Sequence, residues 1–286
     1  MARFAIASAG DDKYIAILQG LIRSIRAVPQ GAGVPIVVLD LGFGANSLAW
    51  LAGQGVRCVV PDWDHKFNGI PPTYYKAMVS RPHLPKYVDE GDTIVWLDAD
   101  TWIQDWSAID LLLQGADASG FAIVPELDRS YSPMYGEHPY LSSLFDWYKR
   151  CFDEETARRL YVYPLLNCGV FAAKVNAPHW RSWAELMAQS LERAILFVNE
   201  QTALNVLLHS GRVPVSLLPA ACNWICARSQ PFVSEDGRTL LEPQIPHAPL
   251  GIVHLAGYDY NTKDRLFTLS TPGGGKVERA LLYAGP

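Results

Sequence analysis

Short, largely apolar runs alternate with amphipathic stretches through the first hundred residues. RFAIASA (Arg3 to Ala9), VPIVVLDL (Val34 to Leu41), VRCVV (Val56 to Val60) and TIVWLD (Thr93 to Asp98) are rich in aliphatic residues and too short for core helices. After the first of them Tyr14, Ile17, Leu18, Leu21, Ile22 and Ile25 recur at helical spacing, with Asp11 or Asp12 available as a cap. Ser47 to Gln54 reads as a second helix. A strand that is apolar on both faces must be covered on both, and here the covering helices lie between the strands in sequence. That arrangement predicts an α/β fold built on a parallel sheet.

The same vocabulary continues. Strands are expected at GFAIVPE (Gly120 to Glu126) and PLLNCGVFAAK (Pro164 to Lys174), and late in the chain at RVPVSLL and GIVHLAG. Helices are expected near Tyr74, over Ile109 to Gln114, Trp180 to Leu196 and Glu200 to Ser210. Leu127 to Tyr163 is irregular, with helical pieces at Leu141 to Arg150 and Asp153 to Leu160. A chain of 286 residues can hold one large domain. We expect it over residues 1–265, with 127–163 as a lid or acceptor segment and 266–286 as a C-terminal tail. TPGGGK (Thr271 to Lys276) reads as flexible, since a phosphate loop would need a strand before it and a helix after it.

A net charge of -5 with no clustered Lys and Arg excludes a nucleic-acid surface. No apolar run approaches the ~18 residues of a membrane span, and the acidic pair Asp11 and Asp12 interrupts the opening apolar segment before it resembles a signal peptide. A cytoplasmic location is expected. The five cysteines lack paired spacing and read as reduced, buried thiols. Nothing in the sequence signals an oligomeric state.

TIVWLDADT puts Asp98 and Asp100 at the carboxyl end of a buried strand, where open α/β sheets bind ligands. Carboxylates at i and i+2 can face one ligand if the chain turns there, and hard cations such as Mg²⁺ and Mn²⁺ choose carboxylate oxygens. Such a cation would neutralise a departing diphosphate. A lone His in an apolar strand such as IVHLA is ordinarily a core histidine, and Glu200 could simply favour a helix N-terminus.

Six ordered segments together resemble the family-eight retaining glycosyltransferases, the group of glycogenin and the bacterial lipopolysaccharide galactosyltransferases. ASAGDDKY is similar to the uridine-binding start of that family, and PTYYKAM to its Tyr-Tyr-Arg or Thr-Lys segment. WLDADTWI is similar to its metal-binding Asp-x-Asp, LLNCGVFAAK to its Asn-Ala-Gly-Val strand, NEQTALN to its Asp-Gln-Asp-x-Leu-Asn helix and VHLAG to its closing His-x-x-Gly. The resemblance implies a GT-A fold, a Rossmann-like α/β architecture with a mixed, mostly parallel sheet flanked by helices. It implies Mn²⁺ or Mg²⁺ on Asp98, Asp100 and His254, a uridine-linked nucleotide sugar as donor, and a glycan or other hydroxyl acceptor. Ala9, Asp11, Tyr14, Lys76, Asp98, Asn167, Gly169, Gly257 and Lys263 would contact the donor. Glu200 and Gln201 would stand near the anomeric carbon. The pattern departs from the family in three places: Lys263 stands six positions after Gly257 rather than three, Glu200 replaces an aspartate, and Cys168 replaces an alanine. Trp102, Trp106, Trp147, Tyr131, Tyr135 and Tyr140 are candidates to stack on an acceptor sugar.

Two other readings stay open. Asp-x-Asp after an apolar strand also resembles the first motif of haloacid-dehalogenase-type phosphotransferases, with Asp98 as nucleophile, although Trp102 stands where that motif has threonine. A protein that binds nucleotide sugars without turning them over would carry the same aspartates.

Overall fold

The computed structural model describes residues 4–67, 71–131, 140–256, 265–283 and 285. In chain order its main elements are β1 (Phe4–Gly10), α1 (Ile15–Arg26), β2 (Ile36–Asp40), α2 (Ala45–Gly53), β3 (Val56–Val59), α3 (Tyr75–Ser80), α4 (Leu84–Tyr87), β4 (Thr93–Leu97), β5 (Thr101–Ile103), α5 (Ser107–Ser119) and β6 (Phe121–Pro125). There follow α6 (Tyr140–Cys151), α7 (Glu154–Leu160), β7 (Leu166–Lys174), α8 (His179–Arg193), α9 (Asn199–His209), β8 (Ser216–Leu217), β9 (Trp224–Ile225), β10 (Phe232–Val233), β11 (Leu240–Leu241), β12 (Ile252–His254), β13 (Phe267–Ser270) and β14 (Lys276–Arg279).

The large sheet has the order β3-β2-β1-β4-β7-β6-β8. Its first four strands and the β6–β8 pair are parallel, while β7 runs antiparallel to both β4 and β6. The sheet is therefore mixed and mostly parallel. Alternate residues of each strand feed two separate cores, as the two-residue period of a strand requires. Ala5, Ala7, Trp96, Phe171 and Ala173 pack with Met78, Trp183 and Leu204 on one face. Ile6, Val95, Leu97, Val170 and Ala172 pack with Leu18, Ile22, Ile109 and Leu112 on the other.

Residues 267–281 correct the tail expected over 266–286. Phe267–Ser270 and Lys276–Arg279 pair antiparallel, TPGGG (Thr271 to Gly275) is the turn between them, and Leu269 and Leu281 are buried in a third core with Trp102 and Trp224. Trp102 Nε1 donates to the Leu281 carbonyl at 2.8 Å. The glycine-rich composition reports a tight turn, not looseness.

Candidate active site

β4 enters the core as five buried residues and ends at Leu97. The chain then reverses: Thr101 donates to the Asp98 carbonyl from both its backbone N–H (3.0 Å) and its hydroxyl (2.8 Å). The threonine thus closes the turn that lets Asp98 and Asp100 serve one site. Beyond the turn β5 pairs antiparallel with β12, which sets His254 opposite Thr101, and Leu255 N–H donates to the Asp100 carbonyl at 2.8 Å. One ligand atom from each of Asp98, Asp100 and His254 lies within 4.8 Å of the others.

β7 supplies the floor. Its register against β6 jumps from Ile123 opposite Phe171 to Val124 opposite Asn167, so Cys168 to Val170 bulge away from β6. The bulged Gly169 accepts Asp98 N–H at 2.8 Å. A Cβ on Gly169 would lie 2.5 Å from the His254 ring, 2.8 Å from Asp98 Oδ2 and 2.9 Å from Asn167 Oδ1, which leaves room only for glycine. Helix α9 is pinned to this strand by Asn205, whose amide bonds both the N–H (2.7 Å) and the carbonyl (2.8 Å) of Leu166. That clamp brings Glu200 and Gln201, in the first turns of α9, up to the bulge.

The cation among these carboxylates is Arg81. It is buried, stacks over the Trp96 ring at 4.5 Å, donates to Asp98 Oδ1 at 3.0 Å and sits 2.6 Å from Glu200 Oε1. Trp96 Nε1 donates to the same Asp98 oxygen at 2.7 Å, so Oδ2 is the oxygen turned toward His254 and Gly169. Lys76, the cation expected at the donor, holds its ammonium 5.4 Å from the Trp63 ring centroid. The two cations are five positions apart, about 1.4 helical turns, so a helix that seats one turns the other away. Arg81 shares its face with the buried Ala77 and Met78, and an arginine on an apolar face needs a buried partner. That was the available signal.

Electrostatics separates these groups. Burial pushes Glu200 up, to about 8, with Asp98 adding to the rise and Arg81 opposing it. Burial would lower Arg81, but Glu200 and Asp98 hold it above its ordinary value. Burial and then Glu200 raise the Cys168 thiol well above its usual range; it stays protonated and donates to Gln201 Oε1, which also accepts Cys168 N–H at 3.2 Å. Burial would raise Asp100, yet His254 holds it below the carboxylate range. Burial would lower His254, yet Asp100, 3.4 Å away, holds it above the imidazole range.

Ala9 lies in β1, and Asp11 accepts the N–H groups of Lys13 and Tyr14, turning the chain into α1. Asp12 instead reaches Gly44 N–H and Ser47 at the start of α2. Asn167 joins the site through Gly169 N–H, at 2.9 Å. Gly257, Lys263 and Tyr135 lie outside the described residues. The aromatic expectation needs correction: Trp102, Trp106, Tyr131 and Tyr140 are buried, and Trp147 packs on the cluster between α6 and α7. Among the described residues the exposed rings are Tyr14 (45%), Trp63 (38%), Tyr74 (47%), Tyr163 (50%) and Phe197 (71%). Tyr74 and Phe197 approach to 6.1 Å, and Phe197 is three residues from Glu200.

The triad suits a hard divalent cation: two carboxylates and an imidazole, with no thiolate among them, and Nε2 of His254 turned toward Asp100 Oδ1 at 3.4 Å. Asn223, absent from the sequence reading, faces Nδ1 of His254 at 2.8 Å.

No protein-family model matches the chain, and no curated protein sequence matches it. Solved structures do. The galactosyltransferase LgtC, in complex with donor and acceptor sugar analogues, matches over 88% of this chain and 87% of its own, with a TM-score of 0.56 and 18% identity. The bifunctional glycosyltransferase WbbM matches 90% of this chain with 46% of its own length, at a TM-score of 0.57 and 14% identity. The glycosyltransferase GlyE of Streptococcus pneumoniae TIGR4 matches 91% of this chain with 55% of its own, at a TM-score of 0.52 and 16% identity. The fold is GT-A. Among the described residues no helix is long and apolar enough to cross a membrane.

Proposed function

We propose that the chain is a metal-dependent retaining glycosyltransferase of the family-eight type, moving a sugar from a nucleotide diphosphate, expected to be uridine-linked, to a hydroxyl acceptor. The observation that carries this reading is the convergence of Asp98, Asp100 and His254 from two strand ends of a GT-A fold. Mn²⁺ or Mg²⁺ held there would supply positive charge to the diphosphate leaving group.

The chain's own residues divide the remaining work. Asp98 and Asp100 would orient oxygens toward the diphosphate, and the base would lie along Ala9 at the end of β1 and Asp11 and Tyr14 before α1. The Gly169 bulge lets backbone approach the donor sugar. Gln201, whose side-chain oxygen is held by Cys168 N–H, keeps its amide N–H groups for a ligand. Retention has two routes, a covalent intermediate on a carboxylate or attack from the face the diphosphate leaves. Glu200 is 2% exposed and engaged by Arg81, so reaching an anomeric carbon would require breaking that pair. The geometry favours front-face attack with Gln201 beside the sugar. An active-site Gln-to-Glu mutant of LgtC is among the matching structures, at 16% identity, which makes Gln201 the first residue to substitute.

The phosphotransferase reading has less support. One Asp98 oxygen is already occupied by Trp96 and Arg81, and among the described residues the group with metal-ligand spacing contains a histidine rather than a second acidic pair. Incubation with Mn²⁺ and a panel of nucleotide sugars tests the proposal. Slow release of nucleoside diphosphate from one of them supports it, whereas release of inorganic phosphate blocked by Asp98→Asn would favour the phosphotransferase.

A further inference from the structure

Behind the triad runs a line of buried polar side chains that the reaction above does not use. Arg228 reaches Glu126 Oε2 from Nε at 2.9 Å and from Nη2 at 2.7 Å. The other oxygen, Oε1, accepts Nδ2 of Asn167 at 2.9 Å. Asn167 Oδ1 accepts Gly169 N–H at 2.9 Å and Asn223 Nδ2 at 3.1 Å. Asn223 Oδ1 lies 2.8 Å from His254 Nδ1. Glu126, Asn167, Asn223 and His254 are all buried.

A side-chain amide has the same shape either way round, so its orientation follows from its partners. A guanidinium only donates, and a carboxylate that meets one only accepts. Glu126 therefore requires the amide nitrogen of Asn167, and Gly169 N–H requires its oxygen, which also meets Asn223. Asn223 must answer with its nitrogen, which turns its oxygen to His254. Nδ1 must then carry the proton, and the lone pair falls on Nε2, the nitrogen facing Asp100. Asp100 pulls the other way, because a carboxylate beside Nε2 favours a proton on that atom.

We propose that Glu126 is a positioning residue that, through Asn167 and Asn223, holds His254 as the Nδ1–H tautomer and so keeps Nε2 bare for a metal ion. The consequence for the metal rests on the proposed function; the tautomer is a property of the metal-free protein. Because Arg228 demands an oxygen, Glu126→Gln would offer Asn167 a nitrogen. Asn167 and Asn223 would each have to reverse, Asn167 giving up the bond it accepts from Gly169 N–H, and the proton would move toward Nε2. Adding Asn223→Asp repairs the His254 end of the relay, since the new carboxylate accepts from the reversed Asn167 amide and from Nδ1–H alike, and the net charge is unchanged.

Long-range ¹H–¹⁵N NMR of the metal-free full chain, at a pH where the imidazole is neutral and with His254 assigned by His254→Gln, reads the tautomer. Calorimetric titration with Mn²⁺ alone reads affinity. Expected are Nδ1–H in the wild type, a shift toward Nε2–H in Glu126→Gln with Mn²⁺ binding weakened about 10- to 100-fold, and recovery of both in the double variant. A wild type protonated on Nε2 overturns the proposal even if Glu126→Gln fails to fold. So does a folded Glu126→Gln with unchanged tautomer and affinity. A wild type that shows the Nδ1–H tautomer but binds no Mn²⁺ upholds the relay and removes the metal reading.

Discussion

His254 and Arg81 both border Asp98 and Asp100, yet they are held by different physics. The histidine is set by directional hydrogen bonds through two amides, each donor matched to one acceptor. The arginine is set by charge: two carboxylates, an aromatic face and a soft sulfur surround a buried guanidinium. Polarity of partners should govern the first corner, and charge balance and pH the second.

The largest effect tests the charged corner. Removing one partner of a buried ion pair leaves the other uncompensated, so above about pH 8, where Glu200 is ionised, Arg81→Leu should cost about 3–5 kcal/mol in urea unfolding. A cost near that of an exposed pair, below about 1 kcal/mol, would mean that charge does not hold this corner. Next, Asp100→Ala should lower transfer by about 10²- to 10³-fold at saturating donor and Mn²⁺, the scale of losing one preorganised charge contact. Retained activity would remove the metal from the account.

The pH dependence separates the two corners further. Glu200 moves from an ordinary 4.5 to about 8 in the fold, so its contribution to stability is fully present below 4.5 and lost as pH rises through 8. Glu200→Gln should flatten the melting midpoint across that window. His254, also raised, loses its contribution with rising pH as well, and by the same proton competition Mn²⁺ should bind more tightly as pH rises. Smaller still, Phe197→Ala should raise the acceptor KM about threefold to tenfold, the worth of one aromatic contact, with donor hydrolysis unchanged. Lys76→Ala should change donor KM by less than about threefold; a larger loss would return Lys76 to the donor site.

The strands that carry the site were legible because burial on both faces leaves long apolar runs: Ile36–Asp40, Thr93–Leu97 and Leu166–Lys174 stand out by composition alone. Asp98 and Asp100 were legible because they end such a run. The antiparallel direction of β7 was not, since a strand apolar on both faces reads the same in either direction. Arg81 and Asn223 escaped for a related reason. Their importance comes from what tertiary structure puts opposite them, Glu200 in one case and His254 in the other, over a hundred and about thirty residues away in sequence. The C-terminal hairpin escaped because glycine-rich segments look alike whether they are loose or turning between strands.

The claim that a metal on Asp98, Asp100 and His254 grips a nucleoside diphosphate is tested most directly by thermal unfolding with uridine diphosphate, Mn²⁺ and both together. A ligand at ~100 times its Kd adds about 2.7 kcal/mol to stability. The account predicts a large rise in the midpoint only when nucleotide and metal are both present, and its disappearance in Asp100→Ala. An equal rise with nucleotide in a chelator, or none with both ligands, would contradict it.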